Sequence, residues 1–287
     1  MTVLRQQRLI SPSSITDATK VLGDLGEEAQ VLAGGTWIMR APIRGEYSDK
    51  VFVSLANIVS LHSIEIDTKQ LNVGAMATHH QLAEMLKDAP DLHAVQKAAE
   101  KSANPSVRRM ATVGGNICSM DFLAPDLVPA LIACDAVVFL QSNYDEIEMP
   151  LEHYIETRAD RPGSELLTKV NVKRGSFRSS HTRILMRQAG EYPVANLSLR
   201  CEIDSTDSIL NARIAVGAVD RVPKRWKSLE DAVNGRNLSK INASELAKQN
   251  LNEFTGRDGA DAPGWYRIRV LPRLASDAFA ATSQIVS

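Results

Sequence analysis

Short apolar runs and amphipathic stretches alternate through the first half of the chain. Residues 30–33, 50–55, 71–75 and 136–141 are apolar or β-branched runs of strand length, and 63–67 reads as a strand pairing among them. A serine-capped helix is predicted from Ser13-Ser14 to about Leu25. Thr78 caps a second helix over 79–87, whose Leu82, Met85 and Leu86 share one face. A third helix, 92–102, is broken by Asn104-Pro105, and Pro125 opens a fourth over 126–134. A short helix is expected over 36–44, stopped by Pro42. From Glu165 the texture changes. Residues 166–172, 182–187, 197–203 and 209–219 read as strands, followed by helices around 228–234, 243–254 and 265–281. Strands succeeded by helices predict an α+β class. The pattern change near Asp160-Arg161-Pro162-Gly163 divides the chain into domains 1–170 and 171–287.

Two apolar runs end on paired glycines. The first is Val31-Leu32-Ala33-Gly34-Gly35-Thr36-Trp37-Ile38; the second is Ala111-Thr112-Val113-Gly114-Gly115-Asn116-Ile117. Each reads as a strand entering a Gly-Gly turn that closes on a small polar side chain. Such turns admit positive φ and leave out the Cβ that would hold a ligand away. Their consecutive N–H groups can converge on an anion, and Thr36 and Asn116 add a hydroxyl and an amide. Charge-assisted hydrogen bonds contribute roughly 1.5–3 kcal/mol each, so two facing loops would suit a diphosphate. A single Gly-Gly-polar turn is more often only a tight connection. No G-x-G-x-x-G follows a predicted strand and no Walker sequence occurs, so any dinucleotide must use another scaffold.

At 287 residues the chain has room for two domains and a full core, and a net charge of −1 gives no field for nucleic acid or membrane. No apolar stretch approaches signal-peptide or membrane-span length, which makes a cytoplasmic location the expectation. Cys118, Cys134 and Cys201 are too scattered for an iron–sulfur or zinc site, and Cys134, in an apolar run, is expected to be buried. His79, His80 and His181 lack partners at ligand spacing and read as surface residues. Lys169, Lys173, Arg174, Arg178, His181, Arg183 and Arg187 form a basic stretch. It reads as the solvated edge of a hairpin, or as a landing place for an anionic acceptor or partner.

The two loops resemble the AGGT-type and ATxGGN loops of the FAD-binding, or medium, subunits of the molybdenum hydroxylases of xanthine dehydrogenase and carbon monoxide dehydrogenase type. Val73-Gly74-Ala75-Met76-Ala77-Thr78 is similar to the family's IGAxxT segment, and Asp126-Leu127-Val128-Pro129-Ala130-Leu131 to its D-L-x-P-A-L segment. Order, spacing and length fit over essentially the whole chain. The resemblance implies a vanillyl-alcohol-oxidase-type FAD domain of two lobes and a smaller α+β C-terminal domain. It further implies an oxidoreductase subunit that takes electrons from two two-iron clusters in an iron–sulfur partner. A large molybdenum-cofactor subunit would oxidise the substrate, and FAD would pass the electrons to an external acceptor. A heterotrimer or its dimer is then expected.

By the same resemblance, Val31 to Ile38 and Thr112 to Asn116 hold the FAD diphosphate, with Thr78 counted among the cofactor positions. Asp126 stands near the adenosine; its residue-level alternative is a carboxylate at the N-terminus of its own helix. Leu167 packs near the flavin ring, although ordinary strand core would also account for it. Arg187 occupies the place of a family lysine near the flavin N1–C2=O edge, and arginine is bulkier and fixed in charge. The segment 117–125 is one residue longer than the family's spacing, so the chain before Asp126 must bulge or shift. No histidine is placed to attach flavin, so FAD should bind noncovalently. Two other readings stand beside this one: a free-standing reductase of the same fold, like the enolpyruvyl-sugar reductases, and a flavin-free scaffold subunit.

Overall fold

The computed structural model describes residues 8–46, 48–186 and 192–285. Its twelve strands fall into three sheets in chain order. β1 (Leu9–Ile10), β2 (Ala29–Leu32) and β3 (Val51–Ser54) form a parallel sheet in the order β1-β3-β2. The helix Ile15–Leu25 makes the crossover. Ser14 caps it, its side chain accepting from Asp17 N–H at 3.0 Å, and buried Ala18 and Leu22 pack on Val53 and Leu55. The predicted cap and strands are therefore present here.

The second sheet is antiparallel. β4 (Ile64–Ile66), β5 (Gln70–Gly74), β6 (Val137–Gln141), β7 (Glu146–Pro150) and β8 (Leu166–Lys173) run in the order β4-β5-β8-β6-β7. β8 reads in sequence as the first of a later set of strands, yet it lies at the centre of this sheet. Val170 faces Val73 on one side and Val138 on the other, which buries it completely. The helix Leu127–Ala133 is buried at every residue beneath this sheet, as an all-apolar helix must be. Sequence reading assigned no element to residues 142–164. They contain β7, an edge strand of alternating exposure, and the helix Leu151–Thr157.

The third sheet joins β9 (Phe177–Ile184), β10 (Ala195–Ile203), β11 (Ile209–Gly217) and β12 (Lys224–Arg225) in the order β12-β11-β10-β9. β10 is buried on both faces. Its Leu197, Leu199 and Cys201 point into a core built with Trp226, Leu271, Leu274 and Phe279. The intervening Asn196, Ser198 and Arg200 are polar and buried: Arg200 donates to Cys134 O at 2.7 Å and Asn196 to Pro125 O at 3.1 Å. This alternation makes β10 the seam between the two halves of the molecule.

Several local expectations are corrected. Residues 38–44 form a 3₁₀ helix, Ile38–Arg44, that accommodates Pro42 and stops at Gly45 with φ +74°. The helix expected over 243–254 ends at Gln249, and a 3₁₀ turn, Leu251–Glu253, follows. The helix expected over 265–281 is two, Gly264–Arg269 and Leu271–Ser283, because Pro272 starts a new first turn. Cys134 is fully buried, as expected. No helix among the described residues is long and apolar enough to cross a membrane.

Arg267 is fully buried in the C-terminal core and donates to Val194 O, Ala218 O and Arg257 O at 2.7, 3.2 and 3.0 Å, and to Asp261 at 2.6 Å. Arg267→Leu should destabilise the protein by about 3 kcal/mol or more, because three carbonyls and a carboxylate lose their donor together. An unchanged urea midpoint would show that water replaces the guanidinium.

Candidate functional site

The two glycine loops meet. A Cβ on Gly34 would lie 1.8 Å from Met110 O, so only glycine lets the first loop reach the backbone that enters the second. Gly35 turns the chain with φ +70°, and an ideal Cβ on Gly115 would come within 3.8 Å of the Ala33 Cβ. Between and around them lies a cavity of about 960 Å³, at the upper end of the range for ligand pockets.

Of the residues singled out in the sequence, Val31, Ala33, Gly34, Gly35, Thr36, Trp37, Ile38, Thr112, Gly114, Gly115, Asn116, Asp126 and Leu167 line this cavity. Leu32, Thr78 and Val113 do not. Leu32 belongs to β2, and Thr78 caps the helix His79–Met85 with a reciprocal bond to Gln81 while bridging Thr112 from behind. Arg187 lies outside the described residues.

The loops are not alike. In the first, the N–H groups of Gly34, Gly35, Thr36 and Trp37 donate to no carbonyl or side chain among the described residues. The second is not a strand entering a turn: Val113–Cys118 is a helix, and its glycines form the first turn. Its N–H groups are already committed. Val113 donates to Ala77 O at 2.9 Å, Gly114 to Ala75 O at 2.8 Å, Gly115 to the Thr112 hydroxyl at 3.1 Å and Asn116 to Thr112 O at 3.0 Å. Gly114 is needed for that approach, since its Cβ would sit 2.9 Å from Ala75 O. What the second loop offers the cavity is a side chain, for Asn116 Oδ1 is buried with no partner among the described residues.

Asp126 is 4% exposed at the N-terminus of the helix Leu127–Ala133 but makes no capping bond to it. Its carboxylate instead accepts from Asn196 at 3.1 Å and pairs with Arg183 at 3.3 Å, with His181 Nε2 at 3.5 Å. His181 is thus buried rather than on the surface, its Nδ1 on Ser198 at 2.8 Å. His79 is also buried. Its Nδ1 is 2.6 Å from Ser102 Oγ, whose single proton goes to Ala99 O, so Nδ1 is assigned the ring proton. Burial pulls the His79 imidazole down to about 4, partly offset by Asp126.

The basic stretch is consumed internally. Arg174 pairs with Asp91 at 2.8 Å, Arg178 with Asp207 at 3.6 Å and Arg183 with Asp126, while Lys169 stacks over Phe139 at 4.0 Å. Its described members form neither a solvated edge nor a free landing place; of them only Lys173 is exposed.

Sequence reasoning missed several groups in and around the wall. Phe122 and Tyr192 join the expected Trp37 in an aromatic cluster, with centroids 5.0 and 4.9 Å apart along the chain of contacts, and Arg44 stacks on Trp37 at 4.0 Å. Cys118 Sγ meets Tyr154 Oη at 3.3 Å, and Arg161 pairs with Glu165 at 2.6 Å. These residues carry no local signal, because four separate chain segments converge here.

A profile of the FAD binding domain in molybdopterin dehydrogenase matches residues 5–172, and one of the CO dehydrogenase flavoprotein C-terminal domain matches 180–282. The chain belongs to the family of FAD-binding subunits of molybdenum hydroxylases, and is an oxidoreductase flavoprotein subunit. It is 26% identical to the 6-hydroxypseudooxynicotine dehydrogenase complex subunit alpha of Paenarthrobacter nicotinovorans, over 90% of this chain and 88% of that one. Identity to the xanthine dehydrogenase FAD-binding subunit of Escherichia coli O157:H7 is 24%, covering 94% of each. Reconstituted CO dehydrogenase from Oligotropha carboxidovorans shares the fold, with a TM-score of 0.88 at 22% identity over 98% of this chain and 99% of that one.

Two outcomes follow from this geometry. Gly34→Ala should cost about 2 kcal/mol or more, since backbone must move, whereas Gly163→Ala, with open space around it, should be neutral. Equal urea midpoints for the two would refute the close approach. For His79, the unfolded state binds more protons between pH 6.5 and about 4, so stability is full above that window and falls with pH through it. The parent should lose on the order of 3 kcal/mol there, and His79→Gln should flatten that slope in urea titrations run across the same pH range.

Proposed function

We propose that this chain binds FAD noncovalently in the cavity and passes electrons from the iron–sulfur clusters of a partner subunit through that FAD to an external acceptor. The observation that carries the reading is the first loop: four consecutive residues line a cavity of dinucleotide size, and their N–H groups have no partner among the described residues. They would hold the diphosphate, with the unpartnered Asn116 Oδ1 beside them for a hydroxyl or amide of the cofactor. Asp126, anchored by Asn196 and Arg183, would accept from ribose hydroxyls, and Leu167 would pack against the ring. Thr112, Gly114 and Gly115 hold the second loop in place behind that contact. FAD itself supplies the exchange between two-electron and one-electron chemistry; the chain binds it, orients it and keeps water from one face.

Substrate oxidation is assigned to a separate molybdenum-cofactor subunit and electron relay to an iron–sulfur subunit, in a cytoplasmic heterotrimer or its dimer. The naming of one relative as a subunit of a dehydrogenase complex supports this. A division into two domains is supported by the largely separate cores of the second and third sheets, but it falls after Lys173, between β8 and β9, because a cut between residues 170 and 171 would split the central strand β8. Co-expression with both partners should give a co-purifying complex with flavin absorbance that bleaches on adding substrate. Bleaching by this chain alone would refute the electron-transfer role and favour a free-standing reductase.

A further inference from the structure

The charges on the cavity wall do not balance, and the imbalance is local. Its carboxylates are Asp121, Asp126, Glu165 and Asp261. Asp126 is held by Arg183 and Asn196, Glu165 by Arg161, and Asp261 by Arg267, while Asp121 is exposed to water and its charge acts on Arg44. The lining cations are Arg40, Arg158 and Arg161. Arg40 is exposed, and water compensates it; Arg161 is paired.

Arg158 is neither. It is only partly exposed, and it makes no ion pair with any described residue. One guanidinium nitrogen, Nη1, donates to Ile117 O at the end of the helix Val113–Cys118. The ionisable groups that act on it are the Cys118 thiol and the Tyr154 phenol, which are bonded to each other and neutral in that state. Burial lowers its pKa, as expected of a cation that has lost water and gained no counter-charge. Capping a helix C-terminus is one role for such a side chain. It uses one of five N–H groups. Arg158 lines the cavity, and none of its nitrogens is among the buried unpartnered atoms, so its remaining donors are not sealed in the protein interior.

We propose that Arg158 receives a negative charge of the bound flavin dinucleotide, resting on the reading that the cavity holds FAD. Two parts of that molecule have the required chemistry: the diphosphate, and the N1–C2=O edge of the ring, which becomes anionic on reduction. A planar guanidinium offers either of them paired donors.

The test uses the assembled complex carrying Arg158→Gln, which keeps a donor for Ile117 O and removes the charge, and Arg158→Lys, which keeps the charge. If the diphosphate is the partner, Arg158→Gln binds FAD at least tenfold more weakly while Arg158→Lys retains most of the affinity. If the ring edge is the partner, flavin content is unchanged. The oxidised-to-reduced ratio of the flavin, equilibrated against a redox dye, then rises about tenfold in Arg158→Gln and less in Arg158→Lys. Affinity and redox ratio both within twofold of the parent, with only the melting temperature lowered, would overturn the proposal and leave Arg158 as a helix cap. A parent complex without flavin would overturn the cavity reading and this proposal together.

Discussion

The site depends on two backbone approaches that tolerate no side chain. Gly34 lies against the carbonyl of Met110, and Gly114 against the carbonyl of Ala75. Through the second, the helix Val113–Cys118 donates its first N–H groups to the end of β5 and the turn beyond it. Through the first, the loop leaving β2 is pinned to the chain that enters that helix. The parallel sheet and the antiparallel sheet are thereby joined along one line, and the cavity is the space left beside it. Because the helix Val113–Cys118 satisfies its first donors on protein, the first loop is left as the place where peptide N–H groups await an acceptor.

The C-terminal half contributes a second constraint, electrostatic rather than steric. Asp126 is buried in the N-terminal half and would be costly there without partners. Arg183, His181 and Asn196, all from β9 and β10, supply them. Arg200 does the same, entering from β10 to satisfy Cys134 O. Buried donors of β9 and β10 reaching acceptors of the N-terminal half fix how the halves meet, and Asp126 stands where that seam opens into the cavity. A site wall built on such a seam is held to the orientation of the whole molecule.

Much of the architecture could be read from the chain. Local periodicity, the Ser14 and Thr78 caps and the paired glycines depend on residues a few positions apart, so strands, helices and both loops were legible, as was the family. The pairing of β8 with β5 and β6 was not, because its apolar run suits any fully buried strand and its partners lie far away in sequence. The same limit hid the fate of the basic stretch: Arg174, Arg178 and Arg183 look solvated until Asp91, Asp207 and Asp126 are brought beside them.

The sequence by itself determined that two glycine pairs exist, that each is flanked by apolar chain and closed by a polar residue, and that the strands and helices belong to an α+β molecule. Only the tertiary structure decided that the pairs differ in kind. A Gly-Gly step has the same local freedom wherever it occurs. Whether it becomes an open loop or a helical turn is set by the acceptors within reach. Ala75 and Ala77 accept from Gly114 and Val113, whereas no described carbonyl accepts from the N–H groups of Gly34 to Trp37, although that of Met110 lies against Gly34. The buried state of His79 and His181 was decided in the same way, by neighbours from other segments that no spacing in the chain reveals.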